Sequence, residues 1–248
     1  MSLNETFFKL ENQWNLLFFP ERPNGFAVLI IGEHPKSVEA DTSIWHQHPE
    51  RFSFIHSLLN EGYTVFTSEL FGKHWGSSRA VDYMEQLYHL IYKRALLNKK
   101  VHLIAEGSGA LVTQALLKRR PEVIRSAFFI NPCMYLDAFA KQEEQNKLYY
   151  KRFIREFLTA HGLSQDELDP SVFKRQLSLN EPNECPPLHI IHDVTNKRYP
   201  FEQHSRPFTK ECEDNNIPIT LSLHGGSKSY SSFIHPALKF FKKTEMKL

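Results

Sequence analysis

The chain of 248 residues is 41% hydrophobic and 23% charged, with a formal net charge of +2, close to the averages of ordinary globular proteins. That balance excludes a disordered or fibrous chain. It also points to no nucleic-acid partner, because the basic residues are scattered apart from Lys118-Arg119-Arg120 and Lys242-Lys243, short clusters suited to helix ends.

The length fits one large α/β domain over residues 1–248, with a core that needs no covalent staples. Cys133, Cys185 and Cys212 are odd in number and lack metal-type spacing, so a reducing, cytoplasmic setting is expected. Residues 1–10 mix Asn4, Glu5 and Lys9 with apolar side chains and lack the basic and apolar regions of a secretion signal. No apolar run reaches membrane-spanning length, so no membrane association is expected.

In chain order, residues 7–10 and 14–19 flank Glu11-Asn12-Gln13 and predict an antiparallel hairpin at a sheet edge. Strands are predicted over residues 26–31 (FAVLII), 64–68, 101–105 (VHLIA), 126–130, 188–192 and 217–223. Their near-continuous apolar runs suit strands buried on both faces. Between them, helical spacing predicts helices over residues 49–60, 80–97, 110–119, 201–215 and 231–243. The alternation gives a doubly wound, mainly parallel sheet flanked by helices. Residues 134–184 interrupt it with a charged, aromatic stretch, helical near 137–161 and again near 171–179. Placed after a core strand, this insertion reads as a helical cap over the carboxyl edge of the sheet, where such folds bind ligands.

The segment Val101-His102-Leu103-Ile104-Ala105-Glu106-Gly107-Ser108-Gly109-Ala110 sets a strand, a small-residue turn and a helix in immediate succession. It resembles the nucleophile elbow of the α/β-hydrolase family, a Gly-x-Ser-x-Gly turn in which small residues flank the nucleophile where backbones crowd. Ala105 and Gly109 satisfy that rule with Gly107 at the nucleophile position, and Ser108 then begins the helix as a cap. The competing register makes Ser108 the nucleophile but puts Glu106 and Ala110 at the crowded flanks.

The resemblance continues in order along the chain. Ile30-Ile31-Gly32-Glu33-His34-Pro35 stands where the family has its oxyanion loop. Thr67 to Ser78, containing Glu69, Gly72, His74, Gly76 and Ser78, is similar to the Asp-x-x-Gly-His-Gly-x-Ser turn, whose part in the family is structural support. His192-Asp193-Val194-Thr195-Asn196 resembles the loop carrying the catalytic acid and puts Asn196 in the acid's place. Leu223 to Tyr230 resembles the loop carrying the general base and puts Lys228 in the histidine's place.

An amide orients an imidazole without supplying charge, and a protonated lysine accepts no proton. Gly107, Asn196 and Lys228 therefore predict a degenerate triad and a pocket that binds a small acyl-type ligand or a protein partner. Gly32, Glu33, His34, Glu106 and Gly109 are its candidate lining. The rival expectation is an active esterase or thioesterase in which Ser108 works with His224 or His235 and with Asp193 or Asp137, oxyanion amides lying near Gly32 and Gly109. A third is a lyase or transferase using Glu106, Lys228 or His34 as acid or base.

Of the 13 histidines, His46 and His48 with His34 and His74 form the densest group, but an i, i+2 pair points to opposite strand faces and no metal is expected. Helical spacing sends the aromatics of Tyr149-Tyr150-Lys151-Arg152-Phe153 toward a core. Gly107-Ser108-Gly109 lacks a dinucleotide fingerprint, and no cofactor is expected.

Overall fold

The computed structural model describes residues 4–174, 185–226 and 229–245. Its strands are β1 (Asn4–Leu10), β2 (Gln13–Phe19), β3 (Ala27–Ile31), β4 (Thr64–Ser68), β5 (Val101–Glu106), β6 (Ile124–Ile130), β7 (Leu188–Asp193) and β8 (Ile219–His224). The helices are α1 (Ile44–Gln47), α2 (Pro49–Asn60), α3 (Ser78–Arg94), α4 (Gly109–Arg119), α5 (Leu136–Glu143), α6 (Lys147–His161), α7 (Ser205–Asp214) and α8 (Ile234–Glu245). The eight strands form one sheet in the order β1-β2-β4-β3-β5-β6-β7-β8. The pairs β1·β2 and β2·β4 are antiparallel, and every pair from β4·β3 to β7·β8 is parallel.

The apolar runs explain the layers. Every residue of β3 and β4 is buried, because helices cover both faces. On one face α3, α4 and α7 pack Met84, Leu87, Val112, Leu116 and Phe208 onto Leu29, Leu103 and Phe129. On the other, α1, α2 and α8 pack Trp45, Phe54, Ile55 and Phe241 onto Val28, Ile30, Ile104 and Phe128. At about 25 cal/mol per Å² of buried apolar surface, these two layers are the main source of stability.

Topology makes the crevice. The connection leaving β3 turns to the α2 face, while the one leaving its neighbour β5 turns to the α4 face. Loops diverging from adjacent strands leave a cleft beyond their carboxyl ends, and Glu33 and Gly107 lie on those two loops. Gly109, the first residue of α4, crosses so close to β3 that a Cβ there would lie 2.1 Å from the Ile31 carbonyl oxygen.

Several elements differ from the sequence expectation. Gln13 is the first residue of β2 and pairs with Leu10, so Glu11 and Asn12 alone make the hairpin turn, both with positive φ as a type I′ turn demands. The helical pattern at 137–161 is two helices, because the Asn146 side chain accepts from the amides of Leu148 and Tyr149 and starts α6 afresh. Of the expected helix at 171–179, residues 170–173 form a 3-10 turn and residues 175–179 lie outside the described residues. The short α1 has no counterpart in the sequence reading.

Helices α5 and α6 carry Leu136, Phe139, Phe153 and Phe157 onto Trp75, Leu111 and Tyr199, a third apolar cluster beside the carboxyl edge. At the opposite end of the sheet a buried polar chain pins α8. Tyr63 donates to Glu245 Oε1 at 2.5 Å, His102 Nε2 lies 3.2 Å from the same oxygen, and His102 Nδ1 lies 2.7 Å from Ser126 Oγ. Among the described residues no helix is long and apolar enough to cross a membrane.

The approach of Gly109 to Ile31 predicts that Gly109→Ala destabilises the protein by about 1–3 kcal/mol through overpacking. In an open site the same change stabilises by about 0.4–1 kcal/mol. The sign of the shift in denaturant midpoint therefore tests the contact.

Candidate functional site

The sharpest bend at the carboxyl edge follows β5. Gly107 has φ +53°, the left-handed region, whereas Ser108 is already helical at φ −68°, ψ −11°. A residue without a Cβ adopts the first conformation freely. Ser108 does begin the helix, but its hydroxyl makes no capping hydrogen bond, contrary to the cap expected from sequence.

Glu33 fills the space above the bend. A Cβ built on Gly107 would lie 2.3 Å from the Glu33 carboxyl carbon and from Oε2. Oε2 accepts from the Ser108 amide at 3.2 Å and from the Tyr199 hydroxyl at 2.6 Å. Arg198 Nε stands 3.7 Å away, and Lys73 Nζ donates to the Glu33 carbonyl oxygen at 3.0 Å. Burial, reinforced by the adjacent carboxylate, pushes the Tyr199 phenol well above its usual pKa, so it stays a donor. Sequence reasoning placed Glu33 on the wall of a pocket; it occupies the centre. The contribution of Tyr199, 166 positions away, leaves no local sequence signal.

The loop holding Glu33 is braced from β4. The Glu69 carboxylate accepts from the amides of Lys36 and Val38 at 2.6 and 3.2 Å and from Ser37 Oγ at 3.3 Å. This is a structural use for the acidic residue of that turn. Leu70, Phe71 and Trp75 adopt positive φ in the same turn, a conformation uncommon for residues with a Cβ. Two amides help hold it, Leu70 to Ser68 Oγ at 3.1 Å and Phe71 to Gln13 Oε1 at 2.8 Å. His74 is buried beneath, with Nε2 3.0 Å from the Gly32 carbonyl and Nδ1 accepting from the Gly76 amide. Those partners fix the Nε2–H tautomer.

Glu106 turns away from the bend into an ion pair. Arg51 of α2 binds both its oxygens, at 2.7 and 2.5 Å, and stacks 4.3 Å from the Tyr230 ring centre. Burial works to raise the Glu106 carboxyl, but nearby His34 and Arg51 outweigh it and hold the group at about 2. His34 itself is exposed, 3.8 Å from Glu106. Both are committed to this pair rather than to the space above Gly107. No spacing rule links Arg51 to Glu106, 55 positions apart, so the pair leaves no local signal.

The remaining candidates are dispersed. Asn196 Oδ1 accepts from the amides of Arg198 and Tyr199, both at 2.9 Å, and so shapes the loop that delivers Tyr199. Asp193 Oδ1 accepts from the Thr195 amide and hydroxyl at 2.9 and 2.7 Å. His224 is buried against Phe233, and neither ring nitrogen has a hydrogen-bond partner among the described residues. The expected series Ser108, His224, Asp193 is therefore not hydrogen-bonded. Asp137 lies in the first turn of α5, His235 is exposed on α8, and Lys228 lies outside the described residues. His46 is held by Ser43 and Glu5 at 2.7 and 2.6 Å, apart from His74.

Sheet order, the bend after β5 and the flanking helices define the α/β-hydrolase fold. Among solved structures, the chain superposes on an S-formylglutathione hydrolase from Agrobacterium tumefaciens with TM-score 0.68 and 13% identity, covering 98% of each chain. It superposes on Est1E from Butyrivibrio proteoclasticus with TM-score 0.65 and 11% identity, covering 98% of this chain and 99% of that one. Against the acylaminoacyl peptidase of Pyrococcus horikoshii the score is 0.63 at 11% identity, and the 98% of this chain that matches spans only 40% of the peptidase. No family model matches the chain, and no curated protein matches it in sequence.

Removing the central carboxylate strands its donors. Glu33→Ala is expected to lower stability by about 1–3 kcal/mol, and acetate is expected to restore part of the loss by entering between Ser108 and Tyr199. Thermal midpoints in acetate against chloride at equal ionic strength check this; identical midpoints refute it.

Buried imidazoles set a second expectation. Burial lowers His74 to about 4, against the raising effect of its bond to Gly32. It likewise lowers His192 to about 4 and His204 to about 3. Unfolded histidine titrates near 6.5, so below that pH the unfolded chain binds more protons. Stability is full above about pH 6.5 and declines on acidification through the folded values, by at most about 1.4 kcal/mol per pH unit for each histidine. Denaturant midpoints from about pH 7 to about pH 4 should fall continuously.

Proposed function

We propose that the protein is a non-hydrolytic member of the α/β-hydrolase fold, acting as a binding module for a small acyl-type ligand or a protein partner in the cytoplasm. The observation that carries this reading is the steric exclusion between position 107 and Glu33, since a Cβ on Gly107 would lie 2.3 Å from that carboxylate. The tip of the elbow thus has no nucleophile and no room for one while Glu33 is in place. The oxyanion-type amide, Ser108 N–H, is already spent on an internal anion. Asn196 at the acid's position serves its own loop. On this reading the described part of the insertion, residues 134–174, forms a cap, supported by the packing of α5 and α6 on Trp75 and Tyr199.

A second reading, a serine hydrolase using Ser108, is favoured by the structural neighbours, which include an S-formylglutathione hydrolase and an acylaminoacyl peptidase. It requires a rearrangement that brings Ser108 Oγ to an imidazole. Fluorophosphonate labelling with short-chain ester turnover, on wild type and Ser108→Ala, separates the two. The proposed reading expects no label and no turnover above that of Ser108→Ala. Labelling at Ser108 with turnover lost in the variant would establish the hydrolase.

A further inference from the structure

A cavity of about 330 Å³ opens between α6 and the turn that follows β4, reaching the amino end of α3. Three cationic side chains from three separate elements line it: Lys73 from the turn, Arg79 from the first turn of α3 and Arg155 from α6. The carboxylate in its lining, Glu156, is occupied by the Trp75 indole at 3.3 Å and by Arg152 at 4.0 Å. Among the described residues, none of Lys73, Arg79 and Arg155 has a carboxylate within ion-pair distance. The Arg79 guanidinium lies 4.0 Å from the Phe71 ring centre, a stacking that orients it before any ligand arrives. His74, also in the lining, is neutral near pH 7 and adds no charge.

Three cations lining one cavity repel one another, and a bound anion relieves that repulsion. Burial has already pulled the Lys73 pKa down. We propose that this cavity binds a small phosphate-bearing molecule, its phosphoryl oxygens taken by Lys73, Arg79 and Arg155 where α6 faces the turn after β4.

Phosphate suits the arrangement better than a monocarboxylate does. It carries up to two charges, and its several oxygens can accept from donors carried on three separate elements. The positive end of the α3 dipole adds to the potential. The volume lies at the lower end of the small-ligand range of about 300–1,000 Å³, which fits a phosphate on a small organic body. Glu33 connects this cavity to the crevice through the Lys73 bond to its carbonyl, yet the proposal stands whether or not the crevice is inert.

Calorimetric titration with inorganic phosphate and with glycerol 3-phosphate, at constant ionic strength in chloride, tests it. The expected result is saturable binding, tighter for the ester, with Arg79→Gln and Arg155→Gln each weakening it about tenfold or more. Both arginines are exposed on different helices, so loss of fold in both variants is not expected, and circular dichroism checks it. The double variant Lys239→Gln/Lys243→Gln, on the remote α8, is expected to bind as wild type does. Absence of saturable binding, equal affinity in the arginine variants, or loss in the α8 variant as great as theirs would each overturn the proposal.

Discussion

The bonds from the Ser108 amide and the Tyr199 hydroxyl to one carboxylate, Glu33, tie together the loops that follow β5, β7 and β3. Hydrogen bonds to a charged group contribute about 1.5–3 kcal/mol each, and a largely buried carboxylate depends on them to offset its desolvation. The surrounding features serve this centre. Glu69 braces the loop that carries Glu33, Asn196 curls the loop that carries Tyr199, and His74 clamps Gly32 from below. The absence of a side chain at Gly107 is the condition for all of it, because the carboxylate needs that volume.

A shared backbone does not by itself fix the groups at such a crevice. The neighbours share the path of the chain at 11–13% identity, because layers of apolar strands and helices are reproducible by many sequences. Function resides in the few groups at the crevice. In this chain those groups are partnered with one another: Glu33 with Ser108 and Tyr199, and Glu106 with Arg51.

What was legible in the sequence follows the reach of each physical rule. Strands β3 to β7 announce themselves because both faces are buried and the apolar run is near-continuous, as in FAVLII and VHLIA. The elbow was readable because crowding restricts Ala105 and Gly109 to small residues over a span of five positions. The division of 137–161 into α5 and α6 was missed because the apolar spacing continues through Asn146, and only its side-chain bonds to two amides reveal the break. Which group fills the crevice leaves no signal in the sequence for a deeper reason. Glu33, Ser108 and Tyr199 are far apart in the chain, and no periodicity encodes which carboxylate crosses a gap between loops. Arg51 and Glu106 share that difficulty.

The buried chain at the far end of the sheet carries a lesson about chemical types. Ser126 Oγ, both nitrogens of His102 and a Glu245 oxygen stand in a hydrogen-bonded series, the ordering of atoms that proton relays use. Yet Ser126 and His102 have no exposed surface, and Tyr63 and Phe241 close over the imidazole. No substrate can approach, so the series works as a rivet between the terminal helix and the sheet. An inventory that searched only for serine, histidine and carboxylate in contact would select this rivet, whose imidazole is sealed from solvent, and pass over the crevice.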